Sequence, residues 1–292
     1  MKNDTKYHES VMIDETLTGL DVKKDLKYID ATAGNGGHIE RILEIGAKVI
    51  GIDMDPEMIA ISEKRLETLS GFKLIQGNFT NIDKIAKDAG WVPVNGVLFD
   101  LGVSNIHLKD LERGFSFGNP DAQLDMRIDK EGQGVKASDL LNVLREDQLR
   151  NLFEVTLDSG SAKWITGRVL HSRAAKPVAT VGDMLEICQG LKTAKLRLNE
   201  ATLPFLALRI AVNSELDNLK SALPKAFEIL TKGGRLVVIS FHSKEDEIVK
   251  DFFKEKSLEG AKLITFKPIM AGEGETGINK RARSAKMRVL EK

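Results

Sequence analysis

Residues 30–38 read Asp-Ala-Thr-Ala-Gly-Asn-Gly-Gly-His, and they constrain the fold more than any other stretch of the chain. A short apolar run, Tyr28-Ile29, precedes them. An amphipathic segment carrying Ile39, Ile42, Leu43 and Ile45 follows. The pattern is strand, glycine turn, helix. A second apolar run, Val49-Ile50-Gly51-Ile52, then ends in Asp53. Glycines at such a turn let a ligand approach the backbone, and an acid closing the next strand can hold a ribose diol. The start of the chain is therefore expected to bind a nucleoside-containing cofactor.

Spacing decides which one. The dinucleotide fingerprint is G-x-G-x-x-G, its third glycine packing helix on strand. Gly34 and Gly36 are in register, but the third position is Ile39. Asp30 closes the first strand just before the turn. A carboxylate there repels a pyrophosphate. It suits S-adenosylmethionine, which carries an ammonium and a sulfonium and no phosphate. The residues favour S-adenosylmethionine over NAD.

The 292 residues carry 43 Lys+Arg against 43 Asp+Glu, so nucleic-acid binding cannot be argued from net charge, only from local patches. The single cysteine, Cys188, excludes an internal disulfide. The leading Met-Lys-Asn-Asp-Thr-Lys has no apolar region, and no long uncharged apolar span occurs. A soluble, cytoplasmic protein without a membrane segment is expected.

Strands and helices alternate at first. Pro56 opens a helix carrying Met58, Ile59, Ile61, Leu66 and Leu69; Phe72–Ile75 reads as a third strand, residues 82–89 as a short helix and Val94–Leu101 as a fourth strand. From about Asn105 to Asn199 the strand signals stop. Helices are expected there over 138–155, 163–171 and 181–189, with Thr180-Val-Gly-Asp183 as a capping box. A long helical region over 203–230, interrupted at Pro224, leads to Gly233-Gly234. Arg235–Phe241 is then a fifth strand, 245–254 a helix, 262–266 a sixth strand and 285–290 a seventh. The fold class is α/β: a seven-stranded, Rossmann-like sheet with an inserted helical domain. The expected boundaries are 1–104 and 203–292 for the two parts of the sheet domain and 105–202 for the insertion.

In such a sheet, ligands bind at the carboxyl ends of the strands. Asp100, closing the fourth strand, is a candidate catalytic group able to accept a hydrogen bond from a substrate amine. His242, closing the fifth, either assists proton transfer or is a hydrogen-bonded structural residue. The five histidines are scattered, and with one cysteine no metal site is suggested. Arg113 and Phe115, in Glu112-Arg-Gly-Phe-Ser-Phe117, pair a cation with an aromatic that could stack a base or cover the cofactor, although two aromatics at alternate positions are usually just packing. Arg127 follows in Asp125-Met-Arg127, where an Asp and an Arg this close often form a surface pair. Two local patches are basic: residues 163–176, with Arg168 and Arg173, and the C-terminal run with Arg281, Arg283 and Lys286. Such patches can neutralise phosphates, a reading set against a solvated helix face and a fraying tail.

These segments, taken in order, resemble one family. Gly36-Gly37-His38, Asp100-Leu-Gly-Val-Ser104, Glu112-Arg-Gly-Phe-Ser-Phe117, Asp125-Met-Arg127, Ala207-Leu-Arg-Ile-Ala-Val-Asn213, Gly233-Gly-Arg-Leu-Val-Val-Ile-Ser-Phe-His-Ser243 and Arg281-Ala-Arg-Ser-Ala-Lys286 are similar to motifs of the ribosomal RNA small subunit methyltransferase H family. The resemblance runs from about His8 to the C-terminus. It implies the class I S-adenosylmethionine methyltransferase sheet and N4-methylation of one cytosine in the decoding region of 16S rRNA. The partner is then 16S rRNA or the small ribosomal subunit, and monomer or homodimer is left open. Carried over by motif, the cofactor contacts are Gly36, Gly37, His38, Asp53, Phe79, Asp100 and His107. The chain departs from the family at Ala33-Gly34-Asn35, where Phe-Gly-Arg is common, at His107, where Gln is usual, and at Thr202-Leu-Pro-Phe-Leu206, where Thr-Arg-Thr-Phe-Gln is common. Two rivals remain: a methyltransferase for DNA or a small molecule, and a non-catalytic RNA-binding assembly factor. The DNA amino-methyltransferase signature of Asp/Asn/Ser-Pro-Pro and an aromatic is absent from residues 100–103.

Overall fold

The computed structural model describes residues 10–192 and 199–292. They form two compact units: Met1–Gly102 together with Leu216–Lys292, and Val103–Glu215.

The first unit is a sheet. Its strands are β1 (Lys27–Asp30), β2 (Lys48–Asp53), β3 (Phe72–Gln76), β4 (Val94–Asp100), β5 (Leu230–Ser240), β6 (Lys262–Leu263), β7 (Ile269–Met270) and β8 (Lys286–Glu291). The order is β3-β2-β1-β4-β5-β8-β6, with β7 also on β8. β1 to β5 are mutually parallel, and β8 runs antiparallel to β5, β6 and β7. The expected Rossmann-like sheet is present, with the two-residue β7 as an eighth strand and β6 ending at Leu263, short of Phe266.

Side chains along the central strands alternate between two cores, as the period of two requires. Ile50, Ile52, Val97, Phe99, Leu236 and Val238 join one cluster with the helices Ile82–Asp88, Glu215–Glu228 and Ser243–Leu258. Val49, Leu98, Val237 and Ile239 join the other, with the helices Ile13–Leu20 and Gly37–Glu44. Both faces are covered, so the central strands read as apolar runs without polar alternation. The order reverses between β1 and β4, where crevices form outside the strand ends. Asp30, Asp53 and Asp100 close β1, β2 and β4 at that edge.

Two expectations need correction in this unit. The helix Ile13–Leu20 is additional. The glycine pair does not precede β5 but lies inside it: Gly233 takes φ +79°, and the register shifts between Val94 and Gly96.

The second unit is helical, with Asn105–Lys109, Ala137–Val143, Glu146–Glu154, Ser159–Ala175, Val181–Cys188 and Thr202–Val212 around one core. The capping box forms as expected, Thr180 Oγ1 accepting from the Asp183 N–H at 3.1 Å. Residues 138–155 are two helices, because Leu144 is extended. Arg173 NH1 donates to the Leu141 and Leu144 carbonyls (2.7 and 2.8 Å) exposed by that break.

The helix Thr202–Val212 belongs to this unit and not, as expected, to the sheet domain. Phe205, Ala207 and Leu208 lie in the helical core, and the Phe205 ring meets Phe117 edge-on at 4.7 Å. The helical stretch breaks at Asn213-Ser214, not at Pro224. Asn213 is buried, with Nδ2 donating to the Met126 carbonyl and Oδ1 accepting from the Ile128 N–H, both at 2.9 Å. Ser214 takes φ +50°. Pro224 sits within Glu215–Glu228, where the buried Leu219, Ala222, Leu223 and Ala226 hold the helix despite the missing N–H.

Candidate active site

The glycine turn is tied from three sides. Gly34 and Gly36 take φ +53° and +80°, where a side chain is strained. Asp53 Oδ2 accepts the Gly34 N–H at 2.8 Å, and its Oδ1 accepts the Asp55 N–H at 2.9 Å. Ser62, fully buried on the helix Pro56–Leu66, donates to the Gly34 carbonyl at 2.8 Å. Arg65, one residue short of a turn further on, donates to Asn35 Oδ1 at 3.2 Å and twice to Glu40 Oε2, at 2.9 and 2.7 Å. A Cβ on Gly37 would lie 2.1 Å from Ser10 Oγ, so its close approach is to the N-terminal segment.

Ile39, at the third fingerprint position, is accommodated from the opposite side. Gly51 on β2 faces it, and a Cβ there would lie 2.5 Å from Ile39 Cδ1. The residue without a side chain is on the strand instead of the helix, and it leaves room for Ile39.

Two carboxylates lie buried at the switch point. Asp30 is 1% exposed. Its Oδ1 accepts the Thr32 N–H at 3.1 Å, and its Oδ2 has no hydrogen-bond partner among the described residues. Burial raises its pKa to about 6; nearby His38 and the Thr32 N–H oppose the rise, and Asp100 and Asp53 add to it. Asp100 donates its backbone N–H to Thr32 Oγ1 at 2.7 Å, while its Oδ1 is buried and unpartnered among the described residues. Burial raises this carboxyl as well, against His38 and Arg281 and with Glu245. A buried carboxylate oxygen without a donor is costly and invites a cation or an N–H.

The surroundings are ordered. His38 is buried with Nε2 3.0 Å from the Val11 carbonyl, an arrangement that places a proton on Nε2. Phe79 follows β3 and meets Phe99 edge-on at 5.4 Å. His242 is the N-cap of Ser243–Leu258. Its Nδ1 is 3.4 Å from the Glu245 N–H, and its Nε2 is 3.2 Å from Glu245 Oε1 but outside hydrogen-bonding alignment. Glu245 Oε2 accepts the Phe241 N–H at 2.8 Å. The Arg281 guanidinium stacks over the Phe241 ring at 4.7 Å.

Of the residues singled out in the sequence, the sheet unit holds Gly36, Gly37, His38, Asp53, Phe79, Asp100 and His242. His107 lies in the helical unit. It is buried, accepts the Ser104 N–H on Nδ1 at 3.1 Å and packs against Phe115 at 5.5 Å.

Several residues expected on RNA are built into the fold. Arg113 is buried and donates to the Arg127 and Ile128 carbonyls (3.0 and 2.6 Å). Phe115 is in the helical core. Arg127 pairs bidentately with Asp125 (2.7 and 2.8 Å) and donates to the Lys130 and Gln133 carbonyls. Arg173 caps the helix break described above. Lys286 lies on β8, 3.5 Å from Asp246, which also pairs with Arg288 at 2.6 Å. Arg168 and Arg283 are exposed. The basic C-terminal run is therefore a turn and a sheet strand and not a fraying tail.

Sequence reasoning missed Thr32, Ser62, Arg65 and Glu245. Ser62 had a signal: it interrupts the buried stripe Met58, Ser62, Leu66 at helical spacing.

A model of the MraW methylase family matches residues 5–292. The chain is similar to proteins named ribosomal RNA small subunit methyltransferase H. It is 38% identical to that of Methylacidiphilum infernorum, covering 98% of this chain and 94% of the relative. It is 39% identical to that of Geobacter sp. strain M21, covering 98% of each. It is also 39% identical to that of Dictyoglomus thermophilum, covering 100% of this chain and 99% of the relative.

Proposed function

The chain belongs to the MraW methylase family, and from that premise we propose that it transfers a methyl group from S-adenosylmethionine to N4 of a cytosine in the decoding region of small-subunit rRNA. The observation that carries this reading is a pair of buried oxygens, Asp30 Oδ2 and Asp100 Oδ1, that have no partner among the described residues and lie on adjacent strands at the switch point. A phosphate-bearing cofactor would be repelled there. A ligand with an ammonium and no phosphate answers the unmet demand, so the residues present fit S-adenosylmethionine.

Asp30 would hold the ammonium and Asp53, which closes β2 beside the glycine turn, the ribose hydroxyls. Gly34 and Gly36 let the turn approach the ligand closely, and Gly37, His38 and Phe79 complete the proposed contacts. When bound, the sulfonium supplies an activated methyl group. Cytosine's exocyclic amine is a weak nucleophile, because its lone pair is delocalised into the ring. The protein must therefore hold it in line with the methyl carbon. Asp100 accepts an N–H from the amine, orients it and, with its raised pKa, takes the proton released when nitrogen gains the methyl. The target base must leave its stack to reach the strand ends. His242 is better suited to fixing Glu245 and the helix start than to moving a proton.

The exposed cations Arg168 and Arg283 are proposed to meet RNA phosphates. No helix among the described residues is long and apolar enough to cross a membrane, and an rRNA substrate assigns the enzyme to the cytoplasm.

The test is transfer of tritiated methyl to naked rRNA and to assembled small subunits, followed by nucleoside digestion. N4-methylcytidine at one position is expected. Label on a ring carbon, on a ribose or on neither substrate refutes the reading.

A further inference from the structure

We propose that the solvent face of the helix Ser159–Ala175 is a stacking platform for unpaired RNA bases, with Trp164 as the stacking ring and Arg168 as the residue that holds it. The proposal rests on the rRNA-methylating reading above and assigns a base-binding residue that charge patterning did not reveal.

Helical spacing puts Gly160, Lys163, Trp164, Gly167, Arg168 and His171 on one side, and all six are exposed. Ala162, Ile165, Thr166 and Val169 are buried on the other. Trp164 is 39% exposed, an unusual place for the largest apolar side chain.

Arg168 fixes it there. The guanidinium carbon lies 5.6 Å from the ring centroid. The same group donates to the Glu186 carbonyl at 3.0 Å and the Ile187 carbonyl at 3.4 Å, in the last turn of Val181–Cys188. A guanidinium held by two backbone carbonyls restrains the indole against it, so less ordering remains when a base arrives. Gly160 and Gly167, four before and three after Trp164, have no side chain to cover the ring. A Cβ on Gly167 would meet nothing within 4 Å.

The chemistry of the face selects nucleic acid. The exposed face carries Lys163, Arg168 and His171, and the helix has no carboxylate. At its ends, Asp158 caps the Ser161 N–H and Asp183 pairs with Lys176 at 3.3 Å. An aromatic ring among cations and glycines suits a base and its phosphates. It is too small and too charged for the apolar centre of a protein interface.

The experiment uses the ring as its own reporter. The chain has two tryptophans, Trp91 and Trp164, so Trp91→Phe leaves Trp164 as the emitter. Short single-stranded oligoadenylate should quench its emission saturably, and salt should weaken the binding. In the otherwise unaltered protein, Trp164→Ala should raise KM for rRNA by about tenfold, with the loss in KM and not in kcat, and Trp164→Phe should restore most of it. Emission that stays unquenched at saturating oligonucleotide, or a Trp164→Ala KM equal to the parent's, overturns the platform. If the parent methylates rRNA and Trp164 is silent in both assays, the platform alone fails. If oligoadenylate quenches Trp164 but no rRNA is methylated, the platform stands and the methylation reading fails.

Discussion

Replacing Asp30 with Asn should make the protein more stable and a worse binder of its cofactor, and both effects follow from one buried charge. Asp30 has an oxygen without a partner among the described residues and a pKa of about 6, against 3.8 for an ordinary aspartate. The folded pKa is raised, so the fold prefers the neutral acid. Below pH 3.8 the group is protonated in both the folded and the unfolded chain and costs nothing. As pH rises from 3.8 to about 6 the unfolded chain ionises first, and stability falls. Above about 6 the full cost is in place. At about 1.4 kcal/mol per tenfold change in proton affinity, that cost is about 3 kcal/mol.

Asparagine keeps the acceptor for the Thr32 N–H and removes the charge. The variant should therefore gain up to about 3 kcal/mol near neutral pH, about 5 °C in midpoint for a chain of this length, and almost nothing near pH 4. A cationic ligand needs the ionised form, so parent affinity for S-adenosylmethionine should weaken about tenfold per pH unit below about 6. The Asn variant should bind more weakly and lose that dependence. Thermal unfolding across the pH range and calorimetric titration with S-adenosylmethionine check both limbs. A variant no more stable than the parent near pH 8, or one that binds S-adenosylmethionine with parental affinity, refutes the reasoning.

Three further outcomes are expected. Asp100→Asn should lower kcat for rRNA methylation by about a hundredfold, the usual size of a general-base contribution, and full turnover would remove the carboxylate from the chemistry. Gly51→Ala drives a methyl into Ile39 Cδ1 and Leu74 Cδ2, at 2.5 and 2.7 Å, and should destabilise by about 1–3 kcal/mol in urea; pairing it with Ile39→Val should recover part of the loss, and additivity of the two would contradict the packing account. Burial pushes the Cys188 thiol up to about 12, so iodoacetamide should leave the native protein unmodified and label it once urea unfolds it.

What the sequence revealed, and what it hid, divides along a physical line. The strand ends were legible because a strand, a glycine turn and an acid lie within a few residues of one another, and the parallel sheet then brings Asp30, Asp53 and Asp100 to one edge without further information. The Ile39 departure was visible too, but its compensation at Gly51 was not, since the two meet only when helix packs on strand. The arginines misled for a related reason. A charge read in one dimension announces a partner but not which one, and a guanidinium satisfies backbone carbonyls as readily as phosphates. Arg113, Arg127 and Arg173 each serve carbonyls left exposed by irregular backbone, at 127–133 and at the break after Val143. Asn213 does the same for residues 126–128, far away in sequence, and so ends a helix where local propensity favours continuing it. Long loops need such donors, because buried carbonyls outside helices and strands have no ladder to join. An arginine followed within about fifteen residues by a glycine-rich, strandless stretch is thus a poor candidate for RNA. Arg168, like Arg173, serves carbonyls at a helix end, but it and the neighbouring indole stay exposed.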